Sequence, residues 1–84
     1  MIYKLEVSSA AEKQMERLPD SIFRSVDAHI KALQEDPRLR GCKKLVATEG
    51  WRIRIGIWRV IYSIDDKRGV ITILAVKPRQ SAYK

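Results

Sequence analysis

Residues 51–62 read WRIRIGIWRVIY, and this stretch decides the fold of the 84-residue chain. Apolar and basic residues alternate over Trp51–Ile55, which is the period of a strand with one buried face. Gly56 permits a turn, and the run that follows from Trp58 to Ile64 is rich in Val, Ile and Tyr, the residues that favour strands. The stretch therefore predicts two strands joined at Gly56.

Further strands are predicted at both ends of the chain. Residues 2–7 alternate apolar and charged side chains, a pattern typical of a strand. Residues 65–69 read DDKRG and predict a turn, and the apolar run from Val70 to Val76 predicts the last strand. The basic segment from Arg38 to Gly50 is interpreted as a loop.

Two helices are predicted between the first strand and this loop. Ser9 and Glu12 have the spacing of a capping box, and Pro19 stops the first helix. Asp20 or Ser21 can cap the second, which ends before Pro37 because the residue preceding a proline is driven out of the helical region. The apolar positions recur at helical spacing; they are Ala11, Met15 and Leu18, then Ile22, Val26, Ile30 and Leu33.

The order β-α-α-β-β-β predicts an α+β fold, an antiparallel-dominated sheet with two N-terminal helices packed on one face. A chain of 84 residues has room for one domain, spanning residues 1–84. The alternating start indicates neither a signal peptide nor a membrane anchor. The single cysteine, Cys42, excludes an internal disulfide and suits a reducing compartment, so we expect a cytoplasmic protein.

The charge is distributed very unevenly along the chain. Residues 1–37 carry five bases and seven acids, whereas residues 38–84 carry twelve bases and three acids, so the net +7 comes wholly from the second part. This asymmetry predicts a surface that binds a polyanion, and nucleic acid is the polyanion most often met by such a domain. A merely solvated basic surface is the alternative.

Several chemistries are disfavoured by the residue types present. One histidine, His29, and one cysteine cannot build a zinc site from the protein alone, and no glycine-rich loop follows a strand to hold a nucleotide. We therefore expect no metal and no cofactor. What remains is arginine on strands: Arg52 and Arg54 point to one side of the sheet, and Arg59 can join them there. Such a cluster suits a bound phosphodiester, or else is a solvated strand face.

The stretch from Lys44 to Tyr62, KLVATEGWRIRIGIWRVIY, resembles the RelE/ParE toxin superfamily. Its features are a Lys-Leu, a short loop, an aromatic residue, a basic-apolar-basic triplet and an aromatic-Arg-Val-x-Tyr strand. Residues 35–38 (EDPR), Ser9-Ala10, Leu18-Pro19 and the four-residue spacing of Arg79 and Tyr83 are also similar to the family. The resemblance covers essentially the whole chain.

The resemblance implies the toxin of a type II toxin–antitoxin pair with a RelE-like fold. RelE-type members are metal-independent endoribonucleases that cut messenger RNA in the ribosomal A site, and the full basic set together with the tail tyrosine favours this branch. The positions that match its catalytic residues are Arg52, Arg54, Arg59, Lys77, Arg79 and Tyr83. The neighbouring residues expected to bind RNA are Arg38, Arg40, Lys43, Lys44 and Trp51.

One departure from the family concerns proton transfer. Some members carry lysines where this chain has Arg52 and Arg54, and an arginine stays protonated, so neither is a credible general base. Lys77, Tyr83 or a ribosomal group is the expected base.

The resemblance implies a RelB-like antitoxin, the ribosome and messenger RNA as partners, and no membrane. It also implies a toxin–antitoxin complex of higher order that binds operator DNA through the antitoxin. The alternatives are a ParE-like inhibitor of DNA gyrase, a degenerate toxin that only binds its antitoxin, and a plain RNA-binding module.

Overall fold

The structure, a computed structural model, describes residues 2–45 and 50–78. Strands and helices follow one another along these residues in this order: β1 Lys4–Val7, α1 Ser9–Glu16, α2 Asp20–Glu35, β2 Lys43–Lys44, β3 Trp51–Ile55, β4 Trp58–Asp65 and β5 Val70–Pro78. The strands form one sheet with the spatial order β1-β5-β4-β3-β2. Strand β1 runs parallel to β5, and the other three pairings are antiparallel. The predicted α+β class and antiparallel-dominated sheet are confirmed.

The predicted loop over residues 38–50 contains a strand that the sequence did not indicate. Lys43 and Lys44 form β2, which pairs with Arg52 and Trp51 at the edge of the sheet. Two residues are too few to show an alternation, and lysine is depleted in strands. The pairing therefore depends on the neighbouring β3, which offers an unpaired edge.

Both helices begin earlier than expected. Ser8, and not Ser9, caps α1, and its Oγ accepts the Ala11 N–H at 3.1 Å. Ser8 has the extended backbone of a residue leaving β1, which the cap position requires. Helix α2 begins at Asp20 directly after Pro19, so neither Asp20 nor Ser21 is its cap. A proline before the first turn is already held at a suitable φ.

One hydrophobic core joins both helices to one face of the sheet. Helix residues such as Val26 and Ile30 pack there with Ile53 of β3 and Val60 of β4, all of them at most 4% exposed. Since neighbouring residues of a strand point to opposite faces, each buried apolar residue of β3 and β4 leaves its neighbour on the face away from the helices. We call this second surface the open face.

Tyr62 anchors the segment after α2 to the sheet. Its side chain is fully buried, and its hydroxyl donates to the Pro37 carbonyl oxygen at 2.8 Å. Burial raises the pKa of Tyr62, so the hydroxyl keeps its proton and remains a donor. The bond holds the beginning of the 38–45 segment in place, and this segment leads into β2.

Replacing Tyr62 with phenylalanine is expected to lower the free energy of unfolding by about 1–3 kcal/mol, because the Pro37 carbonyl would stay buried without its donor. Urea unfolding followed by tryptophan fluorescence measures the loss. Tyr3→Phe is the matched control, since its hydroxyl bonds the exposed Asp66. Equal losses for the two variants would contradict the buried anchor.

An exposed cluster joins three distant segments at one end of the sheet. Arg38 donates to both carboxylate oxygens of Asp66, at 3.3 and 2.9 Å, and the Tyr3 hydroxyl donates to the same carboxylate at 2.7 Å. The Arg38 guanidinium also lies 5.3 Å from the centre of the Trp51 ring. The hydrogen bonds from Arg38 and then from Tyr3 hold the pKa of Asp66 below its ordinary value. The hydrogen bonds and the ion pair of this cluster are therefore strongest when Asp66 is ionised.

The stabilising effect of Asp66 should therefore depend on pH in one direction. Because its pKa is lowered on folding, its contribution is complete above the ordinary pKa of an aspartate and is lost as the pH falls through the lower value in the folded state. The difference in stability between the wild type and Asp66→Asn should be constant from neutral pH to about pH 5 and shrink below about pH 4. Urea titrations across this range measure it, with Glu16→Gln as the control. A difference that grows in acid would contradict the prediction.

Candidate nucleic-acid interface

Three cations lie in one line across three adjacent strands. Arg54 of β3 pairs directly with Arg59 of β4, and Arg59 pairs directly with Lys77 of β5. Residues directly opposite each other in antiparallel strands have Cβ atoms about 4.5–5.5 Å apart. We call these three residues the cationic row. Its members lie on the open face, because Ile53, Val60 and Val76 next to them are buried in the core.

A second line of residues runs beside the cationic row. Arg52 lies two residues before Arg54 and therefore on the same face. It pairs with Lys43 of β2 on one side and with Ile61 of β4 on the other. Lys43 and Arg52 thus extend the positive surface toward the edge of the sheet.

The position of Lys77 depends on a bulge in β5. Tyr62 pairs with Ile73, whereas the preceding Ile61 pairs with Ala75, so Leu74 is an extra residue in β5. The insertion reverses the alternation of the strand, and Ile73 and Val76 both point into the core. Lys77 consequently lies on the open face. A regular strand continued from Ile73 would have turned it to the other side.

The cationic row brings like charges directly opposite one another on three strands. Like charges directly opposite in a sheet destabilise it, and Arg59 is only 3% exposed, which is rare for a charged side chain. The ion pairs among the described residues are Lys31–Asp27 and Arg38–Asp66, so Arg54 and Lys77 have no carboxylate partner there. A phosphate on the row would receive several donors and relieve the repulsion.

The other residues predicted to bind RNA lie in three places. Arg40 lines an open cleft of about 560 Å³ next to α2, and Arg54 also lines this cleft. Arg38, Lys44 and Trp51 line a separate cleft of about 240 Å³ at the end of β3. Lys43 lies beside Arg52. Arg38 is bound by Asp66, and the sequence did not indicate this contact. The predicted catalytic residues Arg79 and Tyr83 lie outside the described residues.

The remaining candidates for chemistry have structural surroundings. Half-buried His29 donates from Nδ1 to the Ser25 carbonyl oxygen at 2.7 Å, within α2. In residues 2–45 and 50–78, no group of three or more His, Cys, Asp or Glu residues is arranged to hold a metal ion. No helix in the same ranges is both long enough and apolar enough to cross a membrane.

This geometry can be compared with known families. A family model described as the ParE toxin of type II toxin–antitoxin system, parDE, matches residues 5–83. This chain belongs to that family, within the RelE/ParE superfamily. No curated protein matches the chain significantly. The expected superfamily is confirmed, and the chain is the toxin of a type II toxin–antitoxin system.

Solved structures of RelE/ParE toxins have the same fold. A chain of the archaeal RelE–RelB complex from Pyrococcus horikoshii is 33% identical, with a TM-score of 0.83 and coverage of 94% of this chain and 97% of that one. A chain of the RelBE2 complex from Mycobacterium tuberculosis is 28% identical, with the same TM-score and coverage of 94% and 100%. The free E. coli RelE mutant, at 20% identity and a TM-score of 0.83, covers 99% of this toxin and 90% of its own chain. The last of these likenesses concerns the fold alone.

Removing one charge from the row should stabilise the free toxin while it weakens RNA binding. We expect Arg54→Gln to raise the free energy of unfolding by about 0.2–1 kcal/mol and to lose this gain at high salt. Affinity for a short single-stranded RNA should fall. The slope of the logarithm of affinity against the logarithm of salt concentration should decrease by about one, the contribution of one phosphate contact. Urea unfolding and fluorescence anisotropy measure the two effects.

Arg24→Gln is the control for this prediction. It removes the same charge from the exposed surface of α2, remote from the row in the sheet. A control that weakens RNA binding as much as Arg54→Gln would mean that net charge alone explains the affinity.

Proposed function

We propose that this toxin is a metal-independent endoribonuclease that cleaves messenger RNA in the ribosomal A site. The observation that carries the proposal is the cationic row, Arg54, Arg59 and Lys77, on a face of the sheet that the helices leave uncovered. A like-charged row does nothing for the stability of a sheet, but it matches the charge that a phosphodiester gains during cleavage.

The chemistry needs only groups that the RNA and the protein supply. The 2′-hydroxyl oxygen attacks the adjacent phosphorus while a base accepts its proton. The bond from phosphorus to the 5′-oxygen breaks, and an acid protonates that oxygen. The products are a 2′,3′-cyclic phosphate and a 5′-hydroxyl. Positioning of the nucleophile and stabilisation of the extra charge are the main tasks of the protein.

The residue types in and beside the row divide this work. The guanidinium groups of Arg52, Arg54 and Arg59 stay protonated and therefore stabilise charge without moving protons. Proton transfer falls to Lys77, to Tyr83 or to a ribosomal group. Arg79 would add a further donor, and Tyr83 would stack on a base or orient the 2′-hydroxyl.

The flanking basic residues would bind the RNA on either side of the cut. Arg40 lies next to Arg54 in the cleft beside α2, and Lys43 continues the surface from Arg52. Lys44, with Trp51 and Arg38, offers a second positive region with an aromatic ring. Phosphate contacts of this kind position the strand without reading its sequence.

The proposed partners follow from the family. The similar structures include complexes of RelE with RelB, and a RelB-like antitoxin would silence this toxin by covering the row. A segment that is disordered alone and folds on the toxin suits this role. The ribosome and messenger RNA would be the other partners, in the cytoplasm, and the complex with the antitoxin, of higher order, would bind operator DNA through the antitoxin.

A second candidate function is inhibition of DNA gyrase, because the family model that matches the chain is that of the ParE toxin. A toxin that has lost catalysis and only binds its antitoxin is the remaining alternative. Both would keep a basic surface but would not need the three cations in line.

Cleavage of messenger RNA on purified ribosomes tests the proposal. The wild type should cut at the codon in the A site, and Arg54→Ala should slow single-turnover cleavage by about 10²–10³-fold, since it removes one placed donor. Arg24→Ala, which removes an exposed charge on α2, should cleave like the wild type. Tyr83→Phe should also impair cleavage. Intact message together with gyrase-linked DNA breaks would overturn the proposal in favour of the ParE-type activity.

A further inference from the structure

Strand β5 changes its outer neighbour half-way along its length. Strand β1 pairs with β5 only as far as Val7 and Ile73. Beyond this point α1 and its cap take over the contacts. The Ser8 N–H donates to the Ile73 carbonyl oxygen at 2.9 Å, and the Ser8 hydroxyl donates to the Leu74 carbonyl oxygen at 3.1 Å.

The most specific of these contacts comes from Gln14 on α1. Its side-chain Oε1 accepts the Val76 N–H at 2.7 Å in a partly buried position. The partner is a backbone group of β5, 62 residues away along the chain. A glutamine side chain thus replaces a missing strand at the edge of β5.

These contacts enclose the bulge. Ser8 holds Leu74, the extra residue, and Gln14 holds Val76, two residues later. The register of this short segment decides which face of the sheet Lys77 occupies, because a shift of one residue exchanges the two faces of a strand. The bulge is locally weak, since its extra residue has no partner on β4.

We propose that Gln14 is a positioning residue, which acts through the Val76 amide to keep Lys77 in line with Arg59. The inference rests on the proposed function, because it assigns Lys77 a part in cleavage. Gln14 also lines a cleft of about 450 Å³ together with Lys77 and Arg17, so it lies close to the residue that it positions. It touches no reacting atom.

The chain provides a matched control. Gln34 on α2 also uses its side-chain amide to hold a backbone group, donating from Nε2 to the Tyr3 carbonyl oxygen at 2.8 Å in a partly buried position. That bond restrains the start of β1 and is remote from Lys77 in the sheet. Gln14→Met and Gln34→Met therefore each remove one hydrogen bond of the same kind.

The first test compares stability and cleavage for the two variants. Their midpoints of urea unfolding should shift by similar amounts. Only Gln14→Met should lower the single-turnover cleavage rate, by about tenfold or more as a misplaced catalytic group does, with little change in the apparent KM. Gln14→Glu keeps an acceptor oxygen and should restore most of the rate. Equal rates for the two methionine variants, at equal stability, would overturn the inference.

A second test does not depend on cleavage and separates this inference from the proposed function. A 2′-O-methyl RNA cannot be cut, and its binding reports the contribution of Lys77 directly. Lys77→Gln should weaken its binding in the wild type and in Gln34→Met, but much less in Gln14→Met, where Lys77 is already displaced. Backbone amide exchange at Val76 and Lys77 should be faster in Gln14→Met alone.

The outcomes are distinguishable. A wild type that binds this RNA but cuts no message would refute the proposed function, while the coupling of Gln14 with Lys77 would still support the positioning role. Additive effects of the two substitutions, with unchanged amide exchange, would overturn the positioning role even if cleavage occurs.

Discussion

The placement of like charges directly opposite one another in the cationic row is the constraint on which the rest of the structure depends. Arg54, Arg59 and Lys77 are directly opposite one another on β3, β4 and β5, and Arg59 is nearly fully buried. Like charges in direct opposition repel each other, and packing elsewhere in the sheet offsets that repulsion. The other face of the same three strands supplies the compensation, because its apolar residues are packed against both helices. Because residues alternate between the two faces of each strand, the packing of the core on one face holds the like charges of the row together on the other.

The bulge at Leu74 allows both faces of β5 to be used. Ile71 and Ile73 lie in the core, as does Val76, although Val76 is three positions after Ile73. A regular strand could not bury both and also turn Lys77 toward Arg59. Helix α1 stabilises this irregular backbone through its cap and through Gln14. The same short helix thus contributes apolar residues to the core and restrains the part of the sheet that carries the row.

Much of the fold follows from local patterns in the sequence. The alternation of residues 51–55 and the following apolar strand placed Arg52, Arg54 and Arg59 away from the helices, and the spacing of Val26, Ile30 and Leu33 identified the buried side of α2. Other features depend on contacts between distant residues. Strand β2 is too short to show a period. The bulge is set by pairing with β4, and Arg38 is engaged by Asp66, 28 residues away. The serine cap was displaced by one residue because the spacing to Glu12 favours Ser9, whereas Ser8 is the residue with the extended backbone that a cap requires.

The substitution of arginine for lysine in β3 changes what the site can do by itself. A sheet presenting guanidinium groups provides fixed positive charge at any pH that the fold tolerates. In the proposed reaction the sheet therefore supplies the electrostatic part of catalysis, and the proton transfers depend on groups at its margin, on the tail or on the ribosome. On the proposed function, such a division would make the free toxin a weak ribonuclease, because the charge is in place but the proton acceptor must be brought to it. Dependence on the ribosome would then be a consequence of the residue types in the row, and the row would bind any polyanion of suitable spacing before it cleaved one.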